Sequence, residues 1–368
     1  MRSTHAVINL KYLKENYLNI KKKVKNVKIM PVVKANAYGH GVEKTVKALN
    51  SLPDKPEYYA VSLVEEGIEL RQYKVDQPIL IFGPIDKSQV NSIFKYNLIP
   101  TVFSREHISL FKNNGKSDQI KIHIKVNTGM NRLGISFKNA FDFIKMISKD
   151  KFFIIDGIYT HFATSDEKDK SFANLQLKRF NDLLFELKKN KINYGLVHAA
   201  NSGAILDMPD SYFDIVRPGI SLYGYYPSEE TSESISLKPV MSIITKVDSV
   251  NRIEAGETVS YGRKFSADKV TNIISVSMGY ADGYDRNLTN KTKAIINGKF
   301  YNQVGTVTMD RIMFEVNNDK VDIGDEVILL GEKNNIRFTA WDWAKVLNTI
   351  PYEITCGISQ RVPRLYIN

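Results

Sequence analysis

Residues 32–41 read Val-Val-Lys-Ala-Asn-Ala-Tyr-Gly-His-Gly. An apolar strand ends there in a lysine, and a small polar loop follows. Where strand ends form a reactive face, such a lysine is partly desolvated. Desolvation lowers its pKa and leaves the amine nucleophilic, able to form a Schiff base with an aldehyde cofactor. A lone strand-end lysine is equally explained by snorkelling towards water, so Lys34 has to be weighed with its companions.

Several other segments share this form. Residues 121–134 run as an alternating strand through Lys125 and Asn127, and a glycine turn then presents Arg132. The planar guanidinium fork suits a carboxylate, though a surface ion pair uses it too. His161 closes the apolar run at residues 157–163; a structural histidine reads the same way. Residues 198–204, His-Ala-Ala-Asn-Ser-Gly-Ala, stop a strand at small polar residues before a helix start. Backbone N–H groups at such a start bind phosphate, and Ser202 fits either that use or a plain helix cap. The six histidines form no metal-ligand spacing, so no metal is expected.

The elements that must position these groups alternate. Strands are expected at 29–34, 58–61, 78–82, 99–103, 120–127, 154–160, 194–200 and 214–217. Helical patterns fall between most of them, including 62–72 and 175–189. Alternation implies βαβ units and a parallel sheet. Eight strands over this length fit a closed (β/α)8 TIM barrel, whose C-terminal strand ends carry the chemistry; an open doubly wound sheet is the alternative. From Tyr225 the texture changes. Short β-rich runs follow at 241–250, 271–277, 294–296, 304–307 and 327–330, with one helix at 340–347. The expected division is a barrel domain over 1–228 and a mostly-β domain over 229–368, with the N-terminal strand free to join the latter.

The 368 residues carry 51 Lys and Arg against 40 Asp and Glu, a net charge of +11. The densest basic run, Lys21-Lys22-Lys23, lies among Leu10, Leu13, Tyr17, Ile20 and Val24 at helical spacing. That reads as the wet face of an amphipathic helix. No aromatic-interleaved basic motif accompanies it, so nucleic acid is not an expected partner. No stretch is apolar enough to span a bilayer, and a membrane is not expected either. Cys356 is the single cysteine. With no signal-peptide core at the start, a cytoplasmic location is expected.

Taken in order, these segments resemble the alanine racemase family, pyridoxal-phosphate (PLP) enzymes of fold type III. Residues 33–41 are similar to its cofactor-lysine motif, Val216-Arg217-Pro218-Gly219-Ile220 to its Arg-Pro-Gly segment, and residues 255–262 to its catalytic-tyrosine segment. The likeness runs from Lys34 to Arg364. It implies that Lys34 holds PLP and that Lys34 and Tyr261 are the two bases on opposite faces of an external aldimine. Tyr261 would come from the neighbouring subunit of a homodimer. It implies that Tyr38, Ser202, Gly219, Ile220 and Tyr352 serve the cofactor phosphate, that His161 stacks on the cofactor ring, and that Arg217 faces the ring nitrogen. Arg132 would contact the ring oxygen and the substrate, propped by a carboxylated Lys125. Met309 would receive the substrate carboxylate through its N–H, and Tyr280, Arg286 and Asp166 would line the entrance. Thr306 and Thr308 depart from the family's usual arginine and cysteine there. The implied activity is L-/D-alanine interconversion, supplying D-alanine for peptidoglycan. Serine or broad-specificity racemisation, or a non-catalytic PLP carrier, are the alternatives. A barrel-type decarboxylase fits poorly, since it sets a carboxylate at the ring nitrogen.

Overall fold

A computed structural model describes residues 3–114 and 119–368. The chain divides into two compact units, one spanning 13–37 and 42–238, the other 239–368 with the N-terminal segment to Tyr12 and residues 38–41.

In the first unit, six strands form one parallel run in chain order: Tyr59–Val61, Ile79–Ile81, Ile99–Val102, Ile120–Asn127, Phe153–Tyr159 and Leu196–His198. Two short strands, Lys28–Ile29 and Ile215–Val216, pair with each other in parallel. Backbone hydrogen bonds join this pair to both ends of the run. Val33 N–H donates to Ala60 O at 2.9 Å, and Asp214 N–H donates to Val197 O at 3.1 Å. Met30 N–H and Val32 N–H donate to Val216 O and Pro218 O, both at 2.9 Å. Eight segments therefore follow one another around a ring, the closed arrangement expected of a (β/α)8 barrel.

Helices supply the outer layer. Leu10–Val24 buries Leu13, Tyr17, Ile20 and Val24, the stripe set by 3.6-residue periodicity. Its lysines stay on the wet side, where Lys21 pairs with Glu57 at 3.0 Å. Ser171–Lys189 buries Ala173, Leu177, Phe180, Leu183 and Leu187.

The second unit is built on the long strand Met241–Ile253. It pairs antiparallel with His5–Asn9, Glu326–Lys333 and Thr271–Val276. His5–Asn9 in turn pairs in parallel with Arg364–Ile367, so both ends of the chain enter one sheet. The helix Ala340–Leu347 lies where the pattern places it. The run 304–307, expected as a strand, is not one: Gly305 takes φ +72° and bends the chain out of the ladder. The strands there are Lys299–Asn302 and Ile312–Asn317. No helix among the described residues is long and apolar enough to cross a membrane.

The barrel interior has one especially tight point. A Cβ on Gly157 would lie 2.6 Å from Cε1 of the fully buried His123. Gly157→Ala should cost about 1–3 kcal/mol of stability by overpacking. Denaturant titration measures this, and an unchanged midpoint would show that the ring can retreat.

Candidate functional site

Lys34 stands where the first barrel segment stops. The chain does not leave it as an ordinary loop. Ala35, Asn36, Ala37 and Tyr38 all take φ between 51° and 55°, a single left-handed turn. Each such residue costs an L-amino acid roughly 1–2 kcal/mol, so something must hold the turn. Glu66 does much of this. Its Oε1 accepts from Ala35 N–H at 2.6 Å, and its Oε2 accepts from Ser62 and Leu63 N–H at 2.8 and 3.0 Å. Asn36 Oδ1 accepts from Val42 N–H at 2.8 Å. The sequence alone did not single out Glu66.

Around the barrel, Arg217 follows the strand Ile215–Val216 and is only 2% exposed. Its Nη2 donates to the carbonyls of Thr160 and Ala199, both at 2.8 Å, and its Nη1 donates to His198 Nδ1 at 2.6 Å. Nη2 lies 3.4 Å from His161 Nδ1. The guanidinium also sits 5.3 Å from the centre of the Tyr159 ring. No carboxylate touches it among the described residues. Burial lowers its pKa to about 10, and it remains a cation at neutral pH.

Lys125 is 6% exposed, with Nζ 5.6 Å from the centre of the same Tyr159 ring. Burial, then Arg132, Arg217 and Lys34, lower its pKa to about 8. Burial and the charges of Arg217, Lys125, Arg132 and Lys34 hold His161 far below the usual imidazole range, so its ring is neutral. Lys34, Lys125, Arg132 and Arg217 thus form one electropositive neighbourhood. Arg132 lies exposed on the turn after Ile120–Asn127. Asn127 Oδ1 shapes that turn by accepting from the N–H groups of Gly129 and Asn131 at 3.1 and 3.0 Å.

Ser202 begins the helix Ser202–Asp207, but Asn201 is the cap, accepting from Ala204 N–H at 3.1 Å. The Ser202 hydroxyl is therefore spared. Its Oγ accepts from Gly219 N–H at 3.0 Å and Ser221 N–H at 3.3 Å, and lies 3.0 Å from Ser221 Oγ. Two buried backbone donors are thus gathered on the Ser202 hydroxyl. Beside it, the loop bearing Asp166 is tied down through its carbonyl by the Ser228 hydroxyl.

A supporting residue also escaped the sequence reading. Gln176 is fully buried within the apolar stripe of Ser171–Lys189. Its Nε2 donates to His161 O at 3.0 Å and to Thr128 Oγ1 at 3.2 Å, and its Oε1 accepts from Ala163 N–H at 2.8 Å. A glutamine at a core position of an amphipathic helix was the available signal.

The second unit holds the remaining candidates. Tyr261 is 75% exposed, on a turn where Ser260 and Gly262 take φ of 67° and 71°. Thr306 Oγ1 donates to Tyr261 O at 2.6 Å, and Ser260 Oγ donates to Thr306 O at 2.8 Å. Met309 is 51% exposed. Its segment clasps that of Tyr280, whose N–H donates to Thr308 O at 3.0 Å. A Cβ on Gly279 would meet Met309 O at 2.3 Å, so only glycine allows this approach. Arg286 is exposed one turn further on. Tyr38 and Tyr352 come together, their ring centres 5.9 Å apart.

Two family models cover nearly all of the chain. One, described as the alanine racemase N-terminal domain, matches residues 8–227, and the alanine racemase C-terminal domain matches 240–366. The chain is 42% identical to alanine racemase 2 of Caldanaerobacter subterraneus, covering all of this chain and 95% of that protein. It is 42% identical to the Clostridium novyi alanine racemase, covering 100% and 96%. Among solved structures, the Clostridium difficile alanine racemase superposes with a TM-score of 0.93 at 36% identity, over 100% of this chain and 96% of that one. The Bacillus anthracis alanine racemase with bound L-Ala-P also gives 0.93, at 34% identity over 100% and 96%.

Two outcomes follow from this geometry. Glu66→Ala should cost about 0.5–1.5 kcal/mol, as three backbone N–H groups lose their acceptor, and should speed hydrogen exchange at the Ala35 amide; unchanged exchange would remove Glu66 from this role. His123, His161 and His198 all have lowered pKa values. The unfolded chain protonates them near pH 6.5 while the folded chain resists. Stability should therefore fall as pH drops below about 6.5, with up to three protons taken up at these histidines on unfolding and a further one at His107, whose pKa burial also lowers. A flat unfolding free energy between pH 7 and 5 would contradict the neutral imidazoles.

Proposed function

Since this chain belongs to the alanine racemase family, we propose that it interconverts L- and D-alanine with PLP as cofactor. The observation that carries the reading is the buried guanidinium of Arg217, anchored on carbonyls and imidazoles with no carboxylate beside it. A permanent cation there suits a ring nitrogen that must stay unprotonated, since arginine does not surrender its proton.

The donor set fits PLP. Ser202 with the Gly219 and Ile220 N–H groups would receive the phosphate, joined by Tyr38 and Tyr352. The neutral ring of His161 would lie against the cofactor ring. Lys34 would hold the cofactor through its ε-amine. When bound, the group withdraws electrons from the substrate and makes its Cα proton acidic.

Inversion at Cα needs a proton removed on one face and returned on the other. Lys34 Nζ serves one face. Tyr261 Oη serves the other. A tyrosine 75% exposed is poorly placed to act alone in water, and the exposed Met309 and Tyr280 on the same unit make an apolar surface ready to be covered. A second copy of this chain is the proposed cover, which would bring Tyr261 to the partner's Lys34. Arg132 and the Met309 N–H would hold the substrate carboxylate. Tyr280, Arg286 and Asp166 would border the entrance, with Thr306 supporting Tyr261. A Lys125 amine titrating near pH 8 is nucleophilic enough for carbon dioxide. Carboxylation would replace a buried cation with an anion facing Arg132.

L-alanine incubated with the protein and PLP should approach an equal mixture of enantiomers by chiral chromatography; no D-alanine would move the reading to serine or another amino acid. Lys34→Ala should abolish both covalent cofactor capture and turnover. Tyr261→Phe should keep the cofactor yet lose Cα–H exchange in deuterium oxide from one enantiomer far more than from the other. Equal losses would remove Tyr261 as a one-face base.

A further inference from the structure

Arg217 is the top of a chain of buried polar groups that crosses the barrel interior. Its Nη1 donates to His198 Nδ1 at 2.6 Å. His198 Nε2 lies 2.8 Å from His123 Nδ1. His123 Nε2 lies 3.5 Å from Asp156 Oδ2 without a hydrogen bond between them. Asp156 also accepts from Tyr58 Oη at 2.9 Å and lies 3.2 Å from Lys121 Nζ.

The proton positions follow from counting donors. Arginine has no acceptor, so His198 Nδ1 must carry the lone pair. A neutral His198 then bears its proton on Nε2 and donates it to His123 Nδ1. His123 in turn bears its proton on Nε2, which lies 3.5 Å from the Asp156 carboxylate in a charge–dipole contact rather than a hydrogen bond. Both hydrogen bonds run the same way, from the cation towards the end of the chain where the anion lies. The rings have little freedom to break the order. Tyr159 stacks on His198 at 4.7 Å and 9°, and Gly157 leaves no space beside His123.

This is not a route for protons, because the arginine at its end does not release one. It is a polarised link. Asp156 lies on Phe153–Tyr159, beside Tyr58 at the N-terminal start of Tyr59–Val61. Arg217 lies at the opposite, C-terminal end. We propose that Asp156 and His123 are positioning residues for the racemase reaction, acting through His198 to orient and electrostatically balance Arg217 from the far end of the barrel. The proposal rests on the racemase reading for its catalytic consequence, but not for the link itself.

The link is read first on the protein before PLP is added, by nitrogen-15 NMR of histidine and arginine side chains. His123 and His198 should both show the Nε2–H form. Asp156→Asn keeps the shape and an acceptor but removes the charge. It should shift the His123 Nε2 signal, and with smaller amplitude those of His198 and the Arg217 guanidinium. Tyr58→Phe frees the carboxylate from one donor and should shift the same signals in the opposite direction; it also serves if Asp156→Asn folds poorly. With PLP, Asp156→Asn should lower kcat about 3- to 30-fold with little change in the alanine KM. That loss should largely vanish in an Arg217→Lys background, since both changes act on one group. Unmoved His198 and Arg217 signals, or a loss undiminished in Arg217→Lys, would overturn the proposal. Coupled signals in a protein that racemises no alanine would support the link and refute only the functional reading.

Discussion

Arg217 carries a full positive charge into a space with almost no water. Its compensation comes from two backbone carbonyls, one imidazole nitrogen and the face of Tyr159. Burying a cation this way is costly unless each N–H finds an acceptor. The strand ends at Thr160 and Ala199 supply those acceptors, because their strands pair with each other and the second lies next to the one that carries Arg217. Much of the site's electrostatic character follows. Burial, reinforced by this fixed cation, keeps the His161 ring neutral, and the same two causes act together with Arg132 and Lys34 to lower Lys125.

The same barrel end stores strain at Lys34. A left-handed turn of four non-glycine residues is unfavourable on its own. It persists because Glu66, on the helix Val64–Gln72 that follows the strand Tyr59–Val61, accepts from the N–H of Ala35 while also gathering those of Ser62 and Leu63. The turn therefore depends on the neighbouring βα loop. Ser202 shows a related division of labour: Asn201 takes the capping task and leaves the hydroxyl to gather backbone donors. Rigid strand ends hold the groups that must be accurate, and exposed turns such as that of Tyr261 carry those that need a further surface against them.

The alternation of strands and helices was readable because a parallel barrel buries its strands on both faces, giving continuous apolar runs such as 59–61 and 79–81. The stripe of Leu10–Val24 was readable because that helix buries one face only, at 3.6-residue spacing. The run 304–307 misled because a β-branched pair around Gly305 looks like a strand, while the positive φ of that glycine is invisible in composition. Glu66 and Gln176 were missed because each looks like an ordinary polar residue of a helix. Their importance comes from backbone groups on other elements, many positions away.

By itself, the sequence determined the order of elements, the change from barrel to β-rich texture, and the residue types able to handle an amine, an anion and a proton. Those depend on local periodicity and side-chain chemistry, which each short segment carries with it. Only the tertiary structure decided which of these groups meet. It set Arg217 against His198 rather than a carboxylate, brought Tyr38 to Tyr352, and lined up His198, His123 and Asp156. Such encounters depend on ring closure and register between distant strands, and hydrogen bonds of a few ångströms fix them only once the chain has folded.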